Sequence, residues 1–210
     1  MLVVWDSGNL QAFNPAQVTR VQFTGLAGDD YFFLEMNTRV QVEHCVTEMV
    51  TGVDIVREQI LIAAGEPLSF GQDDIRWHGH AIECRINAED AAKNFAPAPG
   101  TITSYFEPAG PGVRIDTFVE DGTTISPYYD SLIAKLIVQG RDRHEALRRM
   151  QMALESLIIE GVTTTSPFLA RVMQHPQFQA GEVDTKWLER EFDKLKAELQ
   201  QMQRGESLAP

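Results

Sequence analysis

At 210 residues, 43% of them hydrophobic, the chain can bury one core, or one core and part of a second, and reads as soluble and globular. Thirty acidic against 18 basic residues give a formal charge of −12, and no Lys or Arg run rises above it, so nucleic acid and membrane are not expected partners. Cys45 and Cys84, the only cysteines, form neither a CxxC nor a Cys/His set at zinc spacing, so no disulfide framework or structural metal is expected and a reducing, cytoplasmic compartment fits best.

The opening MLVVWDSGNLQAF lacks a basic n-region, and its apolar run is too short for a secretory signal or a membrane span. Over residues 1–25 neither helical nor strand periodicity persists, and Asp6-Ser7-Gly8-Asn9 and Asn14-Pro15 are turn or breaker signals. Tyr31-Phe32-Phe33-Leu34 then reads as a short buried strand that runs into the polar stretch Glu35 to His44. A helix is expected from the N-cap Asp54 through Ala64, with Val56, Gln59, Ile60 and Ala63 on one face and Gly65 as its stop.

After Pro67 the texture changes. His80 to Ile86, Thr101 to Phe106, Gly112 to Val119 and Ser131 to Val138 read as strands separated by Gly and Pro turns, which predicts an antiparallel sheet. Asp142 with Glu145 three residues on forms a capping-box pattern, and Ala146, Leu147, Met150, Leu154 and Leu157 make the stripe of the following helix. Ser166-Pro167 opens another helix carrying Phe168, Leu169, Val172 and Met173, closed by His175-Pro176. A last helix from about Asp184 carries Trp187, Leu188, Phe192, Leu195 and Leu199, and Gln200 to Pro210 reads as a frayed tail. Strands and helices mixed without βαβ alternation predict an α+β fold.

The densest chemistry lies at Glu35, Asn37, Arg39, Gln41 and Glu43. In an extended chain side chains at i and i+2 project to one side, so the two carboxylates, two amides and one guanidinium could face one cavity. Such a set can hold a divalent cation beside an oxyanion. On spacing alone, a polar edge strand with internal salt bridges accounts for the same residues equally well.

The run EMNTRVQVEHCVTEMVTG, residues 35–52, resembles the signature of the biotin carboxylases, the ATP-grasp enzymes that carboxylate biotin in acetyl-CoA, propionyl-CoA and pyruvate carboxylases. The resemblance continues through GHAIECRINAED at 79–90, the Pro-x-Pro-Gly turn at 97–100, PYYDSLIAKL at 127–136 and LIIEGVTT at 157–164, covering about residues 26–195. It implies a carboxy-terminal half of such a ligase: residues 1–25 a divergent start, 26–67 a remnant of the ATP-grasp domain, 68–198 the biotin carboxylase C-terminal domain with an antiparallel sheet and flanking helices, and 199–210 a tail.

Residue by residue, the resemblance implies that Glu35 and Asn37 help hold Mg²⁺ or Mn²⁺ on the ATP phosphates. Arg39, Gln41 and the Val42 backbone would hold bicarbonate, with Arg39 also near the biotin ureido ring. Glu43 would be the general base that deprotonates bicarbonate for attack on the γ-phosphorus, giving carboxyphosphate. Arg85 would stabilise the enolate-like oxygen of deprotonated biotin; read alone, an Arg in an alternating strand is more often a surface or salt-bridge residue. His44 is expected to have an orienting or structural role rather than to catalyse, Cys84 to be buried and inert, and Asp130 and Lys135 to sit near the site edge or in an internal ion pair.

The same resemblance implies ATP and bicarbonate as substrates, biotin on a separate carrier protein, carboxyltransferase partners and a homodimer. Two departures stand out. No glycine-rich phosphate loop occurs anywhere in the chain, so autonomous catalysis is not expected, and a catalytically inert dimerisation or docking module is the alternative. Arg20-Val21-Gln22-Phe23 stands where the family has Thr-Val-Glu-Phe, and the neutral Gln22 would remove an anionic metal ligand; upstream of Arg20 the sequence shows no likeness to the family.

Overall fold

The structure, a computed structural model, describes residues 2–6, 9–13 and 37–204. The expected strand Tyr31–Leu34 and the residues Glu35 and Gln22 lie outside the described residues. Two compact units divide the chain, Met1–Trp77 and His78–Pro210. Helices with small antiparallel sheets make the fold α+β.

In the first unit, β1 (Leu2–Asp6) pairs antiparallel with β2 (Asn9–Phe13), Leu2 opposite Phe13 and Asp6 opposite Asn9. The unpatterned opening expected above therefore contains a ladder. Its signal is a two-residue spacer containing Gly between short apolar runs, which is hairpin chemistry rather than a simple break.

Two helices follow, α1 (His44–Thr51) and α2 (Ile55–Ala63). As expected, the Asp54 side chain caps α2 by accepting from the Arg57 amide at 2.8 Å. Gly65, at φ +93, closes it in a Schellman arrangement, with the Gly65 amide donating to Ile62 O and the Glu66 amide to Leu61 O. The expected apolar face is not the buried one: Val56 and Ile60 are exposed, and the buried residue of α2 is Glu58. Glu58 can be buried because its carboxylate accepts from the Ser69 hydroxyl at 2.5 Å and the Ser69 amide at 3.1 Å. These two bonds hold the Glu58 carboxyl below the usual range.

The second unit is organised on a three-stranded antiparallel sheet of β3 (His80–Asn87), β10 (Leu132–Gly140) and β8 (Val113–Thr117), with β10 central. Alternation fixes its two faces. On one, Ile82, Cys84 and Ile86 of β3 stand opposite Val138, Leu136 and Ala134 of β10, and all six are buried. Helix α3 (Arg143–Ser156) covers that face with Ala146, Leu147, Met150, Ala153 and Leu154. Burial of each large aliphatic side chain there contributes about 1.5–3 kcal/mol. On the opposite face Arg85, Lys135 and Asp116 stand in one row across the three strands.

Shorter ladders surround this sheet: β4 (Glu89–Asp90) with β5 (Ala96–Pro97), β6 (Gly100–Thr101) with β9 (Thr124–Ile125), and β7 (Ser104–Phe106) with β11 (Ile158–Glu160). The single strand expected over Thr101 to Phe106 is thus two strands with different partners. Ile102 between them is fully buried, and its amide donates to Thr123 O.

Asp142 caps α3 through the Glu145 amide at 2.8 Å, but the reciprocal bond of the expected capping box reaches one residue further back, where Glu145 accepts from the Arg141 amide at 2.8 Å. Helices α4 (Ser166–Gln174) and α5 (Pro176–Ala180) meet at His175, each starting with Pro in its first turn. Helix α6 (Trp187–Gln203) buries Trp187, Leu195 and Leu199 and leaves Leu188 40% exposed. It continues through the region read as tail, where the Gln200 side chain donates to Ala92 O at 3.3 Å.

Candidate active site

The side chains singled out by the sequence divide between the two units. In the first, no ladder among the described residues includes 37–43, so over those residues the polar edge strand considered above is not formed. From Arg39 on exposure alternates, with Arg39, Gln41 and Glu43 exposed and Val40, Val42 and His44 partly buried, whereas at Asn37 and Thr38 the order is reversed. Val42 and Glu43 form a turn, and Glu43 stands at the N-cap of α1 with φ −79 and ψ 9. The extended geometry expected through Glu43 therefore gives way to a turn at Val42, before it reaches Glu43. Asn37 is partly buried, and Arg39 donates from its guanidinium to Val40 O at 3.1 Å.

His44 holds this turn. Its Nδ1 donates to Gln41 O at 2.7 Å. That bond, with the His44 amide donating to the same carbonyl at 3.3 Å, closes the turn between Gln41 and the start of α1. Glu48, one helical turn on, is buried and accepts from the Ile55 amide at 2.9 Å, which ties α1 to the first turn of α2. Nothing in the sequence assigned Glu48 a task, although Val-Thr-Glu lay inside the motif.

In the second unit Arg85 projects from the polar face of β3 and is half exposed, with Glu83 Oε1 4.0 Å from its Nε. Beside it on β10, Lys135 lies 3.4 Å from Asp116, which also receives a two-pronged contact from Arg114 at 2.7 and 2.8 Å. Lys135 is thus in an ion pair, but its partner is Asp116, which the sequence reading did not name. Asp130 accepts from the Leu132 amide at 2.7 Å and shapes the start of β10.

Cys84 is buried, and burial pushes its thiol up to about 12, so it stays protonated and inert at neutral pH. Thr165, ahead of α4, is the positioning residue that sequence reasoning missed: its hydroxyl accepts from the Asn87 amide at 3.0 Å and donates to Arg85 O at 3.2 Å. The available signal was a Thr just before a Ser-Pro helix start, read there only as a boundary.

Residues 83–190 match the model of the biotin carboxylase C-terminal domain, and residues 11–70 match that of the carbamoyl-phosphate synthase L chain, ATP binding domain. The second match begins upstream of Arg20, which corrects the expectation of no likeness there. Biotin carboxylase 1 of Bacillus subtilis is 54% identical over 159 residues, covering 76% of this chain and 35% of the relative. The biotin carboxylase of a Nostoc species is 50% identical over 195 residues, covering 88% of this chain and 44% of the relative. Among solved structures, the biotin carboxylase domain dimer of the Hydrogenobacter thermophilus 2-oxoglutarate carboxylase, in complex with MgADP, ADP and bicarbonate, superposes with a TM-score of 0.76 at 53% identity, covering 79% of this chain and 36% of that one. The chain spans less than half the length of these relatives. No described helix is long and apolar enough to cross a membrane.

Proposed function

The chain belongs to the biotin carboxylase C-terminal domain family, and from that premise we propose that it supplies the bicarbonate- and biotin-handling residues of an ATP-dependent biotin carboxylase. The observation that supports this most directly is the outward alternation of Arg39, Gln41 and Glu43 at a turn fixed by the His44 imidazole. A guanidinium, an amide and a carboxylate within five residues, all exposed, are the groups a bicarbonate ion needs: two to hold its oxygens and one to take its proton.

In this reading Arg39, Gln41 and the Val42 amide orient bicarbonate, and Glu43 accepts its proton so that the resulting carbonate attacks the γ-phosphorus of ATP, breaking its bond to the β-phosphate oxygen, releasing ADP and giving carboxyphosphate. Arg85, presented by β3, faces the oxygen on which negative charge develops when biotin loses its N1 proton. Of the two metal ligands implied by the resemblance, Asn37 offers an amide oxygen, while Glu35 lies outside the described residues. Magnesium takes about six oxygen ligands, several of them water or substrate phosphate. Asn37 suits that chemistry as one donor, and bound Mg²⁺ would neutralise phosphate charge. The phosphate cradle itself is proposed to come from residues other than these.

The biotin would arrive on a carboxyl carrier protein, and carboxyltransferase subunits would use the product, within a homodimeric, cytoplasmic biotin-dependent carboxylase such as acetyl-CoA carboxylase, serving fatty acid synthesis. A second reading, a docking or dimerisation module without turnover, draws support from the exposed Val56, Ile60 and Ile62 of α2. The discriminating experiment joins the chain to the residues that precede this region in its relatives and measures ATP hydrolysis that needs both bicarbonate and biotin. Activity lost in Glu43→Gln is expected. A folded fusion with no such activity, or with activity indifferent to Glu43→Gln, would sink the catalytic reading.

A further inference from the structure

Beneath the turn that carries Glu43 lies a second cluster of donor atoms. His44 Nε2, Cys45 Sγ and a Glu48 carboxylate oxygen lie within 4.8 Å of one another. We propose that these three side chains form a binding site for a thiophilic divalent transition ion of the zinc class, with water as fourth ligand. The proposal is independent of the carboxylase reading.

Two of the three donor–donor edges are close to those of such an ion, and the third, from Cys45 Sγ to the Glu48 carboxylate, is at most 4.8 Å and closes as the Glu48 side chain moves in. A sulfur about 2.3 Å and a nitrogen about 2.0–2.1 Å from one tetrahedral zinc stand about 3.6 Å apart. Cys45 Sγ and His44 Nε2 are 3.6 Å apart. The His44 Nε2 to Glu48 Oε2 distance of 3.9 Å needs to shorten by only about 0.5 Å to reach the corresponding tetrahedral edge.

The surroundings of each donor fit the same role. Metal-ligating histidines donate their other ring N–H to a carbonyl or carboxylate, which fixes the tautomer and leaves the remaining nitrogen as a donor. His44 Nδ1 makes that bond to Gln41 O at 2.7 Å. Glu48 is oriented by the Ile55 amide on Oε1, with Oε2 turned toward His44. Cys45 is fully buried, Glu48 is 8% exposed, and the His44 side chain is 15% exposed, so the way in passes the imidazole edge. Zinc rather than magnesium is the implied class because a thiolate and an imidazole are soft and borderline donors. The sequence showed no zinc spacing because two of the ligands are adjacent, and only the first turn of α1 brings the third to them.

Cobalt(II) tests this on the full chain, because a cobalt-bound thiolate gives a charge-transfer band in the near ultraviolet and tetrahedral cobalt gives intense visible bands. One equivalent of Co²⁺ is expected to produce both, with displacement by Zn²⁺. Cys45→Ser should abolish the ultraviolet band, Glu48→Gln should weaken binding about tenfold or more, and Cys84→Ser should change neither. Absence of the band in the folded chain would mean that His44 and Glu48 form an ion pair only. Such a result, or a band that survives Cys45→Ser, overturns the proposal. Should circular dichroism show that Cys45→Ser does not fold, cadmium-113 spectroscopy of the unsubstituted chain decides: scalar coupling to the Cys45 β protons is expected, and its absence overturns the assignment.

Discussion

The Thr165 hydroxyl donates to the Arg85 carbonyl at 3.2 Å while accepting the Asn87 amide at 3.0 Å, and the Thr165 amide in turn donates to Asn87 O at 3.0 Å. A residue 80 positions away in sequence thereby fastens the strand end that presents Arg85. Thr165 is 6% exposed, so water cannot replace these partners cheaply. Thr165→Val keeps the shape and removes both hydroxyl bonds, and should destabilise the second unit by about 1–3 kcal/mol. Thr165→Ser should recover most of the loss. Urea unfolding midpoints of the two variants check this, and a Val variant as stable as the parent chain would contradict it.

The proposed role of Arg85 makes a kinetic prediction. An interaction formed mainly in the transition state lowers turnover more than substrate affinity. In the fused enzyme, with Gln22→Glu, Arg85→Ala should cut biotin carboxylation at saturating biotin by about 10²-fold or more, with little change in the KM for ATP. A defect chiefly in ATP affinity would show that Arg85 does something else.

Glu145 gives the sequence's capping pattern a pH signature. Its carboxyl is held down to about 2, first by the Arg141 amide and then by the Arg141 guanidinium, with Arg149 adding charge. A carboxyl depressed in the folded state contributes stability above its unfolded value near 4.5 and loses it as pH falls toward about 2. Thermal unfolding of the chain should therefore fall more steeply with acidification through that window than unfolding of Glu145→Gln. Parallel profiles for the two proteins would rule the contribution out.

Gly161, in the LIIEGVTT run, adopts φ +91, and a Cβ there would stand 2.1 Å from Thr101 O. Neither the backbone conformation nor the neighbouring main chain can yield locally. Gly161→Ala should cost at least about 2 kcal/mol and broaden the unfolding transition of the second unit. An unchanged melting temperature would mean that the β6 and β11 region moves apart more readily than this close contact implies.

The sequence by itself determined those features in which a short window carries its own physics. Asp54 and Asp142 cap their helices because the side chain reaches an amide three residues on; Gly65 stops α2 because it alone adopts a left-handed conformation without strain; and the alternation in β3 and β10 places Cys84 inside and Arg85 outside. The exposure of Arg39, Gln41 and Glu43 follows the alternation, while Asn37, read in the same set, is partly buried; the family likeness was legible in the motif itself. What only the tertiary structure decided depends on groups distant in sequence, or on a turn that changes the periodicity partway through a motif. The buried face of α2 is set by Ser69 reaching Glu58, not by the apolar stripe, and Lys135 is held by Asp116 across a strand pair. Thr165 gains its task from strand β3. His44, Cys45 and Glu48 converge because the chain passes from extended backbone into helix at Glu43, and a helical turn brings together side chains that an extended chain would hold apart.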